Sequence, residues 1–126
     1  MKLVHTDNAP EAIGPYSQAV AVDGWLYTAG QVGLDPASGE MAGSDFGTQA
    51  RRVFANLRAV LDNAGCEPRN VAKATVFIVD FADFPELNAL YGEFMGDHRP
   101  ARSTVQVAGL PMGALVEIDL VARIPA

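Results

Sequence analysis

Arg102 and Glu117 are two side chains that folding alone does not require and that could perform chemistry. Arg102 lies in RPARST at residues 99–104, after a proline that excludes helix and keeps the preceding residue extended, so a strand is predicted here. A guanidinium can hold a carboxylate through two parallel hydrogen bonds. Glu117 interrupts the apolar run LVEIDLV at residues 115–121, and a carboxylate in apolar surroundings can handle a proton or a water molecule. A structural ion pair, or two solvated side chains, is the alternative, and the spacing leaves both open.

Six strands and two helices are predicted to position these residues. Asp23-Gly24 between two β-prone runs is the strongest short hairpin signal. Residues 8–16 and 30–43 carry too many Gly and Pro for regular structure. The β-prone runs predict strands over residues 2–5, 18–22, 25–29, 71–79, 103–107 and 115–124, the first of them at an edge.

Two amphipathic helices separate the later strands. Ser44 or Asp45 can cap the first helix and Gly65 ends it. Asp83 with Glu86 resembles a capping box at the start of the second. Apolar residues step by three and four at positions 46, 50, 53, 54, 57, 60, 61 and 64, and again at 84, 87, 90, 91 and 94.

This order of elements predicts an α+β fold, with residues 1–126 forming a single domain around one mixed sheet. Right-handed crossovers would place both helices on the same sheet face. The strands over 71–79 and 115–124 nevertheless carry apolar residues at both parities. Since a large uncovered apolar face is a liability in a monomer, we expect a closed symmetric oligomer.

Composition and charge argue against several classes of function. The formal net charge is −6 and the pI is near 4.7, whereas nucleic-acid-binding domains usually have a pI above about 9. No apolar run approaches the roughly 20 residues that a membrane span needs, and no signal peptide is expected from residues 1–7. Cys66 is the only cysteine, which excludes an internal disulfide and suggests a reducing, cytoplasmic location.

Other polar side chains give weaker signals. His5 and His98 are the only histidines, so no metal site is predicted. Tyr16, behind Gly14-Pro15, is either a rigidly mounted hydroxyl or a half-buried aromatic with a solvated tip. Asn88, beside the apolar stripe of the second helix, is by itself more typical of a surface amide. Asp119 shares the strand parity of Glu117 and is predicted to be solvated or salt-bridged.

Several motifs together resemble the RidA/YjgF family of small imine deaminases, also described as endoribonuclease L-PSP. The resemblance covers nearly the whole chain, and the combination of motifs is specific although each one alone is weak. The motifs are NAP at 8–10, IGPYSQA at 13–19, Gly30-Gln31, Asn88 with Tyr91, PARS at 100–103, GLP at 109–111 and VEI at 116–118.

The resemblance implies a chorismate-mutase-like fold and a homotrimer, with sheets inward, helices outward and active sites between subunits. It implies that Arg102 binds the substrate carboxylate and that Glu117 holds the attacking water. It leaves open whether the two residues of one site come from one chain or two. The other substrate-binding positions that the resemblance implies are Tyr16, Gly30, Asn88 and Thr104, with the backbone around Gly30 and Thr104 facing the imine.

The function expected from this resemblance is cofactor-free hydrolysis of 2-iminopropanoate or 2-iminobutanoate to a 2-keto acid and ammonia, a detoxification reaction. Two departures put the preferred imine in doubt: Ala29 stands where the family often has Ser, and Thr104 where it often has Cys. The alternatives are a ribonuclease or translation inhibitor, which the charge disfavours, and a non-catalytic trimer that binds carboxylate metabolites. A pure carboxylate binder would gain nothing from Glu117.

Overall fold

The computed structural model describes residues 1–126 and has one mixed six-stranded sheet with two helices, which confirms the α+β class. The strand order is β1-β2-β3-β6-β4-β5, with β4 and β5 parallel and all other neighbours antiparallel. The strands are β1 Lys2–Val4, β2 Ala19–Val22, β3 Trp25–Thr28, β4 Val71–Ile78, β5 Ala101–Gln106 and β6 Val116–Arg123, and the helices are α1 Phe46–Asn63 and α2 Phe84–Met95.

The predicted hairpin joins β2 to β3. Asp23 and Gly24 have φ values of 51° and 82°, and a two-residue hairpin turn of this kind needs positive φ at both positions. Val22 then pairs with Trp25. The two turn residues, Asp23 and Gly24, therefore fix the pairing register of β2 with β3.

The two helices begin differently. Asp45 caps α1 as predicted, since its carboxylate accepts a hydrogen bond of 3.0 Å from the Thr48 N–H. The capping box predicted at Asp83 is wrong, because Asp83 makes no capping hydrogen bond. A 3₁₀ turn over Phe81–Asp83 runs directly into α2 and holds Asp83 at φ −83°, ψ −2°, whereas a capping residue needs extended backbone. Neither helix is both long and apolar enough to span a bilayer.

Both helices cover one face of the sheet. The core between helices and sheet is one cluster of 24 buried residues. Burying each large aliphatic side chain stabilises the fold by about 1.5–3 kcal/mol. Ala74, Val76 and Ile78 of β4 and Val116, Ile118 and Leu120 of β6 supply the centre of this face and are at most 1% exposed.

The opposite face of the sheet, called here the open face, has no covering layer within the chain. Tyr27 is 47% exposed and Val105 is 41% exposed. The apolar residues at both parities of β4 and β6 do occupy both faces, since Phe77 and Val121 have the opposite parity to the buried residues of their strands. The open face includes Tyr27, Lys73, Thr75, Phe77, Val105, Glu117, Asp119 and Val121, as the strand registers show.

Three buried amide side chains hold the long loops in place. Gln49 on α1 donates to the Gly43 carbonyl (2.9 Å) and accepts from the Leu115 N–H (2.8 Å). Asn56, also on α1, donates to the carbonyls of Val32 and Leu34. These bonds satisfy loop carbonyls that lie away from water, where an unpaired group costs about 1–3 kcal/mol.

Gln18 likewise satisfies backbone groups of the loop before β2. Its Oε1 accepts from the Thr6 N–H (2.7 Å), and its Nε2 donates to the carbonyls of Thr6, Ala9 and Pro10 at 2.8–3.2 Å. Gln18 was predicted to be a strand residue, but β2 begins one residue later, at Ala19. Its local sequence gives no sign of these contacts, because its partners lie 8–12 residues away.

Candidate active site

Arg102 lies on the helix side of the sheet. The parallel register places Arg102 opposite Ala74 and Thr104 opposite Val76, and both β4 residues are fully buried beneath the helices. Paired residues on neighbouring strands share a face, so Arg102 and Thr104 point toward α2.

Two side chains of α2 hold the guanidinium of Arg102. Its Nη2 donates to Asn88 Oδ1 at 2.8 Å, and its Cζ lies 4.7 Å from the centroid of the Tyr91 ring. A cation over an aromatic face gains about 0.5–2 kcal/mol. No carboxylate in the chain pairs with Arg102, so the guanidinium is positioned but its charge is not neutralised.

A cleft of about 320 Å³ opens beside this guanidinium, and we call it the arginine cleft. It has no acidic lining residue, although the chain carries a net charge of −6. Such a cleft is suited to a small anion. Its lining residues are Asn88, Tyr91, Gly92, Arg99, Pro100 and Arg102.

Two hydroxyl groups near the cleft have unused hydrogen-bonding capacity. The Tyr91 Oη and the Thr104 Oγ1 are buried and have no partner. Burial raises the pKa of Tyr91, while the charges of Arg102 and Arg99 act against that shift. Buried polar groups without partners are rare in folded proteins. Thr104 therefore lies on the same side of the sheet as Arg102 with a hydroxyl whose hydrogen-bonding capacity is unused.

The Glu117 side chain lies on the open face, on the side of the sheet opposite to the Arg102 side chain. It pairs with Phe77 in the β4–β6 register, while its neighbours Val116 and Ile118 are buried against the helices. Burial raises the pKa of Glu117, and the like charge of Asp119 on the same face raises it further. Asp119 makes no ion pair, so the salt-bridged alternative predicted for it is wrong. It is partly exposed on the sheet face, so the solvated alternative holds only in part.

Gly30 lies directly against the Glu117 side chain. Reciprocal backbone hydrogen bonds between Gln31 and Ile118, of 2.9 and 3.1 Å, hold the two segments together. A Cβ at Gly30 would lie 2.7 Å from Glu117 Cδ. The absent side chain at Gly30 is thus what leaves room for the carboxylate.

Tyr16 lies on the Gly30 side of the molecule. It lines a small cavity together with Gly30 and Gln31. Its ring is 49% exposed, and its hydroxyl accepts a hydrogen bond of 3.2 Å from the Ile13 N–H. Tyr16 is therefore an accessible aromatic residue whose hydroxyl bonds its own loop, and Gln18 fixes the earlier part of that loop through the carbonyls of Thr6, Ala9 and Pro10.

The six predicted site residues thus form two groups on opposite sides of one chain. A single chain cannot direct Arg102 and Glu117 at the same small molecule, because they project from opposite faces of the sheet. The same geometry excludes a structural ion pair between them within the chain. Asn88, Arg102 and Thr104 form one group, and Tyr16, Gly30 and Glu117 form the other.

Two further titratable residues, His98 and Cys66, have structural positions. His98 Nε2 hydrogen-bonds the Val71 carbonyl at 2.6 Å. Cys66 is buried, and burial raises the pKa of its thiol, which disfavours the reactive thiolate. No group of three or more His, Cys, Asp or Glu side chains is arranged to hold a metal ion.

Comparison with known proteins identifies the family. The sequence profile of the family described as Endoribonuclease L-PSP matches residues 6–124. A RutC family protein of Synechocystis is 49% identical over 99% of this chain and 98% of its own length. The 2-iminobutanoate/2-iminopropanoate deaminase of mouse is 46% identical, over 96% of this chain and 90% of its own length. The chain therefore belongs to the RidA/YjgF family.

A solved structure agrees with this assignment. RidA from an Antarctic Psychrobacter superposes with a TM-score of 0.95 at 40% identity, covering 98% of this chain and all of that chain. The fold and the family are thus the same as those of RidA.

Proposed function

We propose that this protein is an imine deaminase that hydrolyses small 2-imino acids to 2-keto acids and ammonia. The observation that carries the proposal is the arginine cleft, where Asn88 and Tyr91 hold Arg102 but no carboxylate neutralises it. Mammalian relatives that are 42–46% identical bear the name 2-iminobutanoate/2-iminopropanoate deaminase. We also infer that residues 1–126 act as a single domain in the cytoplasm.

Arg102 orients the substrate. Its two parallel N–H groups bind the carboxylate of the imino acid, which fixes the plane of the adjacent C=N bond. Holding the imine carbon in line with a bound water converts a bimolecular encounter into an effectively unimolecular step. Asn88 and the Tyr91 ring keep the guanidinium in that orientation before substrate arrives.

Glu117 moves the protons. It takes a proton from water as the water oxygen bonds to the imine carbon, and it gives this proton to the nitrogen, forming a carbinolamine. The hydroxyl proton then passes by the same carboxylate to the nitrogen, the C–N bond breaks, and ammonia and the keto acid leave. The raised pKa of Glu117 makes it a stronger base than an ordinary carboxylate while it can still return the proton.

The proposed site lies between subunits of a homotrimer. Arg102 and Glu117 face opposite ways in one chain, so the arginine cleft of one subunit must meet Glu117 of the next. The open face supplies the apolar surface for such packing, with Tyr27 and Val105 exposed in the single chain. In a closed ring, each subunit presents both halves and every interface completes one site.

Subunit complementation tests this arrangement. Arg102→Ala and Glu117→Gln trimers are denatured, mixed in equal amounts and refolded, and turnover is followed as pyruvate release from 2-aminoacrylate made by a PLP-dependent dehydratase. Turnover by each variant alone should be about 10²–10⁴-fold slower than that of wild type. For Glu117→Gln this is the usual contribution of a general base.

Random mixing should restore roughly a quarter of wild-type turnover, because every mixed trimer contains one interface with both residues intact. Refolded wild type and each refolded single variant are the controls. No gain on mixing, with wild type fully active after the same treatment, would show that one chain supplies both residues. No turnover by wild type would disprove the deaminase proposal itself.

The family's description suggests RNA cleavage as a second candidate. The net charge of −6 opposes binding to phosphates, and one of the two histidines, His98, bonds a backbone carbonyl. We expect nuclease activity to be absent from the purified trimer. Cleavage that co-purifies through several columns and disappears in Glu117→Ala would reverse this ranking.

A further inference from the structure

Arg99 is a second cation in the arginine cleft, and the proposed reaction of a monocarboxylic imino acid leaves it without a role. It lies three residues before Arg102 and lines the same cavity. Neither arginine forms an ion pair within the chain. A single substrate carboxylate would be satisfied by Arg102 alone.

The C-terminal end of α2 fixes the position of Arg99. Its Nη1 donates to the carbonyls of Gly96 and His98, the latter at 2.9 Å. Carbonyls at the end of a helix carry partial negative charge and bind cations. The Nε and Nη2 groups make no hydrogen bond in the chain, so they are free to bind a ligand.

The surroundings of Arg99 favour an anion over water alone, because two arginines and no carboxylate line the cleft. The Tyr91 ring lies against the Arg102 guanidinium, and its buried hydroxyl has no hydrogen-bond partner. Tyr91 is only 7% exposed and lines the cleft. The cleft volume of about 320 Å³ is at the low end of ligand pockets, which run from about 300 to 1,000 Å³.

We propose that Arg99 determines specificity for 2-imino acids that carry a second acidic group, namely dicarboxylic imino acids of four or five carbons. Arg102 binds the carboxylate next to the imine, and Arg99 binds the carboxylate at the other end. The hydrolysis is unchanged, with water entering and ammonia leaving, and the product is a 2-keto dicarboxylic acid. This inference rests on the proposed function, since it assigns a substrate class to the same site.

The competing explanation is that Arg99 only caps α2. In that case its side chain stabilises the helix end and is indifferent to the substrate. A comparison of two substrates separates the explanations, because a cap would affect both alike.

The experiment measures kcat/KM for 2-iminosuccinate and for 2-iminopropanoate, each made in situ from aspartate or alanine by an amino-acid oxidase in excess, with ammonia as the readout. The ratio of the two values is compared in wild type, Arg99→Gln, Arg99→Lys and Arg58→Gln. Arg58 is a matched control because it is an exposed arginine on α1 outside the arginine cleft. Titration calorimetry of 2-oxoglutarate and 2-ketobutyrate gives the corresponding ratio of binding constants for a dicarboxylic and a monocarboxylic keto acid.

Wild type should prefer the dicarboxylic imine, and Arg99→Gln should lower the ratio by about 10- to 150-fold, the equivalent of one charge-assisted hydrogen bond. The ratio for Arg99→Lys should lie between those of wild type and Arg99→Gln, because lysine keeps the charge but lacks the planar guanidinium. If Arg99→Gln does not fold, the Lys variant decides. The proposal would be overturned if the ratio were unchanged in the folded Arg99 variants. It would also be overturned if the ratio fell as far in Arg58→Gln, or if wild type preferred the monocarboxylic imine.

The two proposals fail in different ways. Wild type that turns over neither imine disproves the deaminase function, and the calorimetric ratio for the two keto acids then decides the role of Arg99. Wild type that turns over 2-iminopropanoate only, and binds 2-oxoglutarate no better than 2-ketobutyrate, keeps the function and removes the proposed specificity.

Discussion

The Arg102 guanidinium is held in place by an amide and an aromatic ring, neither of which neutralises it. A lysine at this position would keep the charge but replace a planar, two-point donor by a single flexible one. The distinction between a carboxylate clamp and a structural cation can therefore be made with this single substitution.

We predict that Arg102→Lys lowers kcat/KM by about 10- to 150-fold, from the loss of one charge-assisted hydrogen bond worth about 1.5–3 kcal/mol. Misorientation of the imine adds to this loss. The Tm should barely move, and 2-ketobutyrate should bind the variant poorly by calorimetry. Turnover within about threefold of wild type, accompanied by a lower Tm, would instead identify a structural residue.

In the proposed mechanism, Asp119 would influence the strength of Glu117 as a base. It lies on the open face with Glu117, and its charge raises the pKa of Glu117. Burial raises the pKa of Asp119 itself, and the Thr75 hydroxyl partly opposes this shift. The nearby cation of β4, Lys73, donates to Ser103 Oγ at 3.3 Å rather than pairing with either carboxylate.

Asp119→Asn should move the acid limb of the kcat/KM profile to lower pH. Glu117 acts as a base only when deprotonated, so activity is lost as pH falls through its raised pKa, and removing the like charge lowers that pKa. A profile that stays in place would show that Asp119 does not influence the base. Asp62→Asn on α1, away from the open face, is the control.

The same substitution has a consequence for stability. A carboxyl group whose pKa is raised by folding destabilises the folded state at pH values above its unfolded pKa. Asp119→Asn should therefore have a higher Tm than wild type at pH 7, and the difference should disappear as the pH falls below the unfolded pKa.

At the scale of elements, two of the four glycines in the loop between β3 and α1, Gly30 and Gly33, have different kinds of neighbour. A Cβ at Gly30 would meet the end of a side chain, with Glu117 Cδ 2.7 Å away. A Cβ at Gly33 would meet the backbone of α1, 2.8 Å from the Gln49 carbonyl oxygen and 2.9 Å from its Cα. A side chain can rotate away, whereas a helix backbone cannot.

Gly30→Ala and Gly33→Ala should therefore separate activity from stability. Gly30→Ala should displace the Glu117 carboxylate and cost about 10²-fold in kcat, a loss that a misplacement of about 1 Å can cause, with little change in Tm. Gly33→Ala should lower the free energy of unfolding by about 1–3 kcal/mol through overpacking. Denaturant unfolding and turnover measured on both variants check this, and equal stability losses would show that the carboxylate cannot move aside.

At the scale of the whole molecule, the open face and the division of the proposed site both call for association with another chain. The open face exposes apolar side chains that a monomer would leave in water, and each half of the site lacks its counterpart within the chain. Association that brings the open face of one chain against the arginine cleft of the next would satisfy both conditions at once.

We predict a particle of three times the 13.3 kDa chain mass by light scattering at micromolar concentration. Val105→Glu, which places a charge on the open face, should dissociate the trimer and abolish turnover. Met112→Glu is the matched control, since Met112 is 56% exposed but lies in the turn over Pro111–Gly113. A monomeric wild type would remove the intersubunit site and most of the mechanism.

The sequence alone determined the elements and the hairpin, because their signals are local. The period of apolar residues in α1, the Asp45 cap and the Asp23-Gly24 turn each depend on neighbours a few residues away. The motif pattern likewise sufficed to identify the family. The capping box at Asp83 failed for a local reason as well, since a preceding 3₁₀ turn changed its backbone conformation.

Only the tertiary structure decided which side of the sheet each site residue occupies. The strand Ala101–Gln106 has the sequence ARSTVQ, which has no run of large apolar residues to mark its buried side, so the direction of Arg102 depends on pairing with β4, almost thirty residues earlier. The contacts of Gln18 and the fit of Gly30 against Glu117 are non-local in the same way. The division of the site between two faces could not be predicted from the sequence, because it depends on strand neighbours and register rather than on the residues themselves.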